Sequence, residues 1–257
     1  MTAISSTPGR RPSKTIAVIR THFANPSTLI IVPLIVIAGI LLLNIVVWAL
    51  IMANLDSGAD RAEVSEGLQY SGASSYLFIY MLVVAVQAIA AVLPLSLSYG
   101  ATRRQFAIGT GLTFVGVAAA YATLLTILAV VEDATGGWWL GGRMFTAVYF
   151  GGDAWYERWL VFFALTLVFF VIGAAFATIF QRWRRTGLLL AFATVAVVGI
   201  GIVALLTATG TWEASWGWLV DTASALGWVG VPLASLVPIV VIAGLTYLVL
   251  RRTTITT

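Results

Sequence analysis

The sequence predicts an all-α membrane protein of six transmembrane helices with both termini on the cytoplasmic side. Three observations carry this reading. The residues are 60% hydrophobic and 9% charged, with a mean hydropathy of +1.01, whereas a soluble domain carries roughly 25% charged residues. Six stretches each hold about 20 mostly apolar residues, the length a bilayer core requires. Finally, charge is sorted by side of the membrane.

The spans run from about Leu29 to Met52, Tyr76 to Leu97, Phe106 to Val131, Trp159 to Phe180, Gly187 to Leu206 and Val229 to Leu250. The runs are continuous and do not alternate in polarity, which argues against a β-barrel. With the N-terminus inside, Arg10, Arg11, Lys14, Arg20, Arg103, Arg104, Arg182, Arg184, Arg185, Arg251 and Arg252 are cytoplasmic, and only Arg61, Arg143 and Arg158 fall outside. All ten acids lie on the outer side. The reversed topology would invert both biases, so the positive-inside rule selects this one. Tryptophans cluster near outer helix ends, among them Trp48, Trp138, Trp139, Trp159 and Trp228. They read as an interfacial belt, with substrate stacking as the other reading.

Residues 1–28 form a cytoplasmic segment and 29–257 the transmembrane domain. Met1–Ser13 is polar and basic and reads as a disordered tail. The absence of an apolar run in residues 1–28 argues against a cleaved signal peptide. In Lys14–Phe23, Ile16, Ile19 and Phe23 share one helical face beside Lys14 and Arg20, the pattern of an amphipathic helix lying on the membrane surface. An ordinary positive-inside flank is the alternative. The outer segment Thr207–Trp228 is too apolar for a free loop and too interrupted for a span. Trp212, Trp216 and Leu219 share a face, and glycines divide the segment, so short interfacial or re-entrant helices are expected before the last span. Glu132–Glu157, with three Gly-Gly pairs, reads as an irregular or hairpin-like outer loop.

Several chemistries are excluded. There are no cysteines, and no phosphate-binding loop of the Gly-x-x-x-x-Gly-Lys-Ser/Thr type occurs. No ATP site and no nucleic-acid partner are expected in this chain. The single histidine, His22, reads as a surface residue before the first span, so no metal or serine–histidine site is expected. An intramembrane enzyme would need a nucleophile–base pair that the sequence lacks. No Asp, Glu, Lys, Arg or His lies well inside a span, which argues against a proton-driven carrier. Asn44, Gln87 and Thr113 are the polar residues within spans one to three. They either bond neighbouring helices or line a translocation path. Gly116 with Ala120, and Gly173 with Ala177, have the spacing that lets helices approach closely.

The turn between spans two and three reads Ser96-Leu97-Ser98-Tyr99-Gly100-Ala101-Thr102-Arg103-Arg104-Gln105-Phe106. Thr102 and Gln105 have capping-box spacing, so a helix starts here. This run resembles the "small-Leu-x-x-Gly-x-Thr/Ser-Arg-Arg-x-Phe" pattern of small permeases. Together with the six spans and the N-terminal amphipathic helix, it makes the chain similar to the membrane subunit of a bacterial ABC exporter of the type-two permease superfamily. The Gly-rich Glu132–Trp138 segment adds to the likeness. The resemblance implies a multi-pass protein of the bacterial cell membrane and a second permease copy or related permease. It also implies a separate cytoplasmic ABC ATPase holding ATP and Mg, a hydrophobic or amphipathic cargo such as a drug, peptide or lipid, and outward transport. The residues Gly100, Thr102, Arg103, Arg104, Gln105 and Phe106 are the expected ATPase-coupling site. A non-transporting membrane scaffold or immunity protein is the alternative reading.

Overall fold

A chain that must satisfy its backbone without water does so within each segment, as helix. The protein, seen in a computed structural model, is described over residues 14–55, 58–70 and 75–252. The expected tail Met1–Ser13 lies outside the described residues. The helices are α1 (Lys14–Phe23), α2 (Val32–Ala53, entered through a π-helical turn Ser27–Ile31), α3 (Gly58–Gly67), α4 (Ser75–Ser98), α5 (Arg103–Ala134), α6 (Trp155–Thr209) and α7 (Trp212–Arg251). No strand occurs among the described residues. Five helices are long and apolar enough to cross a membrane: α2 with its leading turn, α4, α5, α6 and α7.

The 55 residues of α6 would extend roughly 80 Å as a straight helix, far beyond a hydrocarbon core of about 30 Å. The chain breaks at Arg184, whose φ of 54° and ψ of −142° lie outside the helical region. Phe176 and Phe192 then stack with ring centroids 5.2 Å apart, where a straight helix would hold them about 24 Å apart. Segments 155–183 and 185–209 are therefore antiparallel arms. Gly187 makes the reversal possible, because a Cβ there would sit 2.3 Å from the Trp183 Cβ. The sequence expectation of two spans separated by Arg182–Arg185 matches these arms in position. α7 bends at Gly227 (φ 64°, ψ −176°). Its first part is one continuous stretch, 212–226, rather than several short pieces.

The core lies between α4, α5 and the first arm of α6. Phe114 and Phe170 stack at 4.8 Å, and Phe78 meets Phe150, Phe162 and Phe169. Gly173 marks a close approach of α6 to α4: a Cβ there would lie 2.4 Å from the Leu82 carbonyl oxygen. The small-residue spacing at Gly173 and Ala177 thus serves helix packing inside the chain. At Gly116 a Cβ would meet nothing within 4 Å, and with Ala120 it borders an open groove of about 230 Å³ beside Leu29 and Leu34. Trp48 departs from the expected belt. It is buried against Gly142, where no Cβ would fit, beneath the loop after α5. Trp139 (82%) and Trp155 are exposed.

Candidate functional site

At the α1 end of the bundle, four helices are tied together around the α4–α5 turn. The capping box read from the sequence is present. Gln105 N donates to Thr102 Oγ1 at 3.2 Å, and Thr102 N donates to Gln105 Oε1 at 2.9 Å, satisfying two donors that a helix start leaves open. Gly100 turns the chain with φ 74°, and its carbonyl accepts from Lys14 Nζ at 2.6 Å. Arg103 Nη1 donates to the Arg251 carbonyl at 3.1 Å, and Arg182 Nη1 reaches the Val249 carbonyl at 3.5 Å. Two carbonyls in the last turn of α7, at its negative end, thus face two guanidinium groups. Of the residues expected to contact an ATPase, Gly100, Thr102, Arg103 and Gln105 build the turn itself. Phe106 is 1% exposed and packs on His22, so it anchors α5 and is not available to a partner. Arg104 is exposed, as is Tyr99, which the sequence reading did not single out.

His22 corrects another expectation. It is buried, 4% exposed, on the face that α1 turns to α5. Its Nε2 pairs with Thr110 Oγ1 at 2.9 Å, with Phe106 and Phe114 on either side. Val18 lies on the same face against Gly109, where a Cβ would come within 2.9 Å. Ile16 and Phe23, read as the membrane-surface stripe of an amphipathic helix, are exposed on another face. Both faces are apolar enough to bury, and the α5 groove selects Val18 and His22. Burial pushes the His22 imidazole down to about 4. Its Nδ1 has no hydrogen-bond partner. Among the described residues no acid hydrogen-bonds this hydroxyl–imidazole pair, the third member an acyl-transfer triad uses.

The three polar residues of the expected path do not converge. Asn44 Nδ2 donates to its own helix at Ile40 O (2.8 Å), and Thr113 Oγ1 to Gly109 O (2.8 Å). Gln87 instead lines a crevice of about 430 Å³ at the α1 end, with Thr21, His22, Asn25 and Thr28.

At the opposite end, Glu132 is fully buried in the last turn of α5, not free in an outer loop as the sequence suggested. Its carboxylate accepts from Met144 N (3.0 Å), Phe145 N (3.0 Å), Thr146 N (2.8 Å), Thr146 Oγ1 (2.7 Å) and Trp138 Nε1 (2.8 Å). The loop is wound around this one side chain tightly enough to hold Trp138 and Trp139 at φ 58° and 61°, a region non-glycine residues rarely enter. Next to it, Asp133 pairs with the buried Arg158.

Beside this loop an apolar cleft of about 730 Å³ opens between the first arm of α6 and the bend of α7. Val161, Ala164 and Val168 form one wall, and Val220, Ala223, Trp228 and Val231 the other. None of the path residues chosen from the sequence lines it. No cluster of three or more His, Asp or Glu able to hold a metal occurs among the described residues. No family model, curated protein or solved structure matches the chain.

Proposed function

We propose that this chain is the permease subunit of an ATP-driven ABC exporter of the type-two superfamily, moving a hydrophobic or amphipathic substrate with a separate ATPase as motor. The two arms of α6 each cross the bilayer, making six crossings, and the α1 end faces the bacterial cytoplasm with the ATPase beneath it. The segment 212–226 lies at the outer surface as the re-entrant or interfacial element.

The supporting observation is the cross-tied corner at the α1 end. Lys14, Arg103 and Arg182 link α1, the α4–α5 turn, α6 and the end of α7 through backbone carbonyls. A force applied to the turn therefore reaches several helices at once. The exposed Tyr99 and Arg104 present the contact a motor subunit needs. Asn44 and Thr113 donate to carbonyls of their own helices, which favours a path formed elsewhere, between two permeases.

The test is retention of an ATPase. The tagged chain is purified from its native membranes and the eluate assayed for vanadate-sensitive ATP hydrolysis. Coupled activity that falls with Arg104→Glu supports the reading. A chain that carries no nucleotide-binding subunit, before or after cross-linking, overturns it and leaves the scaffold reading.

A further inference from the structure

We propose that the cleft between α6 and the α7 bend is a binding site for cationic amphiphiles, with Glu157 as the counter-charge for the cationic group; this rests on the permease reading and names the substrate class for it. The cleft has the volume of a small-molecule site, 730 Å³ against roughly 300–1,000 Å³ for such sites in general. Its walls are mostly aliphatic, joined by the Trp228 and Tyr149 rings, with the Ser224 and Ser235 hydroxyls as minor polar points. Both hydroxyls are occupied, bonding the Asp221 and Pro232 carbonyls at 2.8 and 2.7 Å. The interior therefore asks for an apolar body.

The mouth asks for a positive charge. Gly152 has no room for a side chain because the Glu157 carboxylate and the Trp228 ring both occupy the space where its Cβ would point. That places an acid against the aromatic ring that lines the cleft. Tyr149 lines the cleft as well. The neighbouring cation, Arg158, is buried and pairs with Asp133, so it does not neutralise Glu157. A carboxylate with no ion pair among the described residues, next to aromatic rings that line an apolar cleft, is an arrangement that attracts an organic cation. An anionic amphiphile would meet the carboxylate as a repulsion, so the site discriminates by sign. Its chemistry also differs from that of an acyl chain, which would need the aliphatic walls and nothing of Glu157.

The experiment measures equilibrium binding to the full chain in phosphatidylcholine nanodiscs, with no ATPase present. The probes are tetraphenylphosphonium and tetraphenylborate, ions of matched shape and opposite charge, each corrected for uptake by empty discs. Saturable phosphonium binding without borate binding is expected. Glu157→Gln should weaken phosphonium binding about five-fold, the scale of a partly exposed ion pair. Ala223→Phe, at an exposed position on the cleft wall, should abolish binding by filling the space. Equal binding of both ions, or unchanged phosphonium affinity in either variant, overturns the proposal. The first of these results would mean that the cleft holds lipid chains only. Because the assay omits the motor, selective binding in a chain that retains no ATPase would uphold the site and refute the permease reading. ATPase retention without charge selectivity would do the reverse.

Discussion

Removing the Glu132 carboxylate tests whether one side chain organises the whole loop after α5. Glu132→Ala strips the acceptor from three backbone N–H groups, one hydroxyl and one indole, at Met144, Phe145, Thr146 and Trp138. A buried donor left unsatisfied costs about 1–3 kcal/mol. Water entering the vacated space would recover part of this, so roughly 4 kcal/mol is a reasonable net loss for the five donors. The loop also holds two tryptophans in left-handed backbone, which it adopts only while Glu132 anchors it. The loop should therefore detach and expose Trp48, which it now covers. Glu132→Gln keeps the shape and one acceptor but turns an amide N–H₂ toward N–H donors, so it should lose about half as much. Hydrogen exchange of the Met144–Thr146 amides and intrinsic-fluorescence melting in nanodiscs read the effect. Fast exchange and a fall on the order of 10 °C are expected for the alanine variant. If those amides stay protected in Glu132→Ala and melting moves by less than about 2 °C, the loop is held by something else and the reasoning fails.

Other outcomes follow from the same contacts. Gly173→Val should destabilise the fold by about 3 kcal/mol or prevent folding, because its side chain would enter the α4 backbone at Leu82; yield and melting against Gly116→Val, which meets open space, make the comparison. Arg103→Ala should fray the end of α7, seen as faster exchange of its last amides, whereas Arg104→Ala should leave the fold intact. The His22 imidazole is held at about 4, below its unfolded value of 6.5. The unfolded state thus binds more protons between those values, so α1 docking is fully present above about pH 6.5 and weakens as pH falls toward 4. Proteolytic release of α1 should follow that window and lose its pH dependence in His22→Gln. A cysteine replacing Glu63 should react with an impermeant reagent in intact cells; labelling only after lysis would overturn the orientation.

The long apolar helices were legible because a bilayer asks one length and one polarity of every candidate span, and the Arg182–Arg185 run falls at the break in α6. The start of α5 was legible for a similar reason, since Thr102 and Gln105 carry the capping chemistry in their own side chains. Glu132 was not legible. Its partners are mostly backbone N–H groups 12 to 14 residues away, and a backbone donor has no residue signature. For α1, helical period located the apolar Ile16–Phe23 stripe but not the Val18–His22 face that packs on α5, because that face depends on Gly109 in another helix. The α6–α7 cleft joins segments some 60 residues apart across a bend, and its aliphatic lining looks like any lipid-facing surface until the two walls are brought together.

Residues 192–205, in the second arm of α6, are exposed without exception. Sequence variation there has a different meaning from variation in the rest of the bundle. Val195, Val198 and Ile202 are each more than half exposed, so exchanging one aliphatic residue for another there should cost the fold little. A saturation scan scored for function should therefore find this arm tolerant to apolar exchange wherever lipid is its only neighbour. Positions along it that refuse such exchange would trace the footprint of whatever else lies against it in the living membrane.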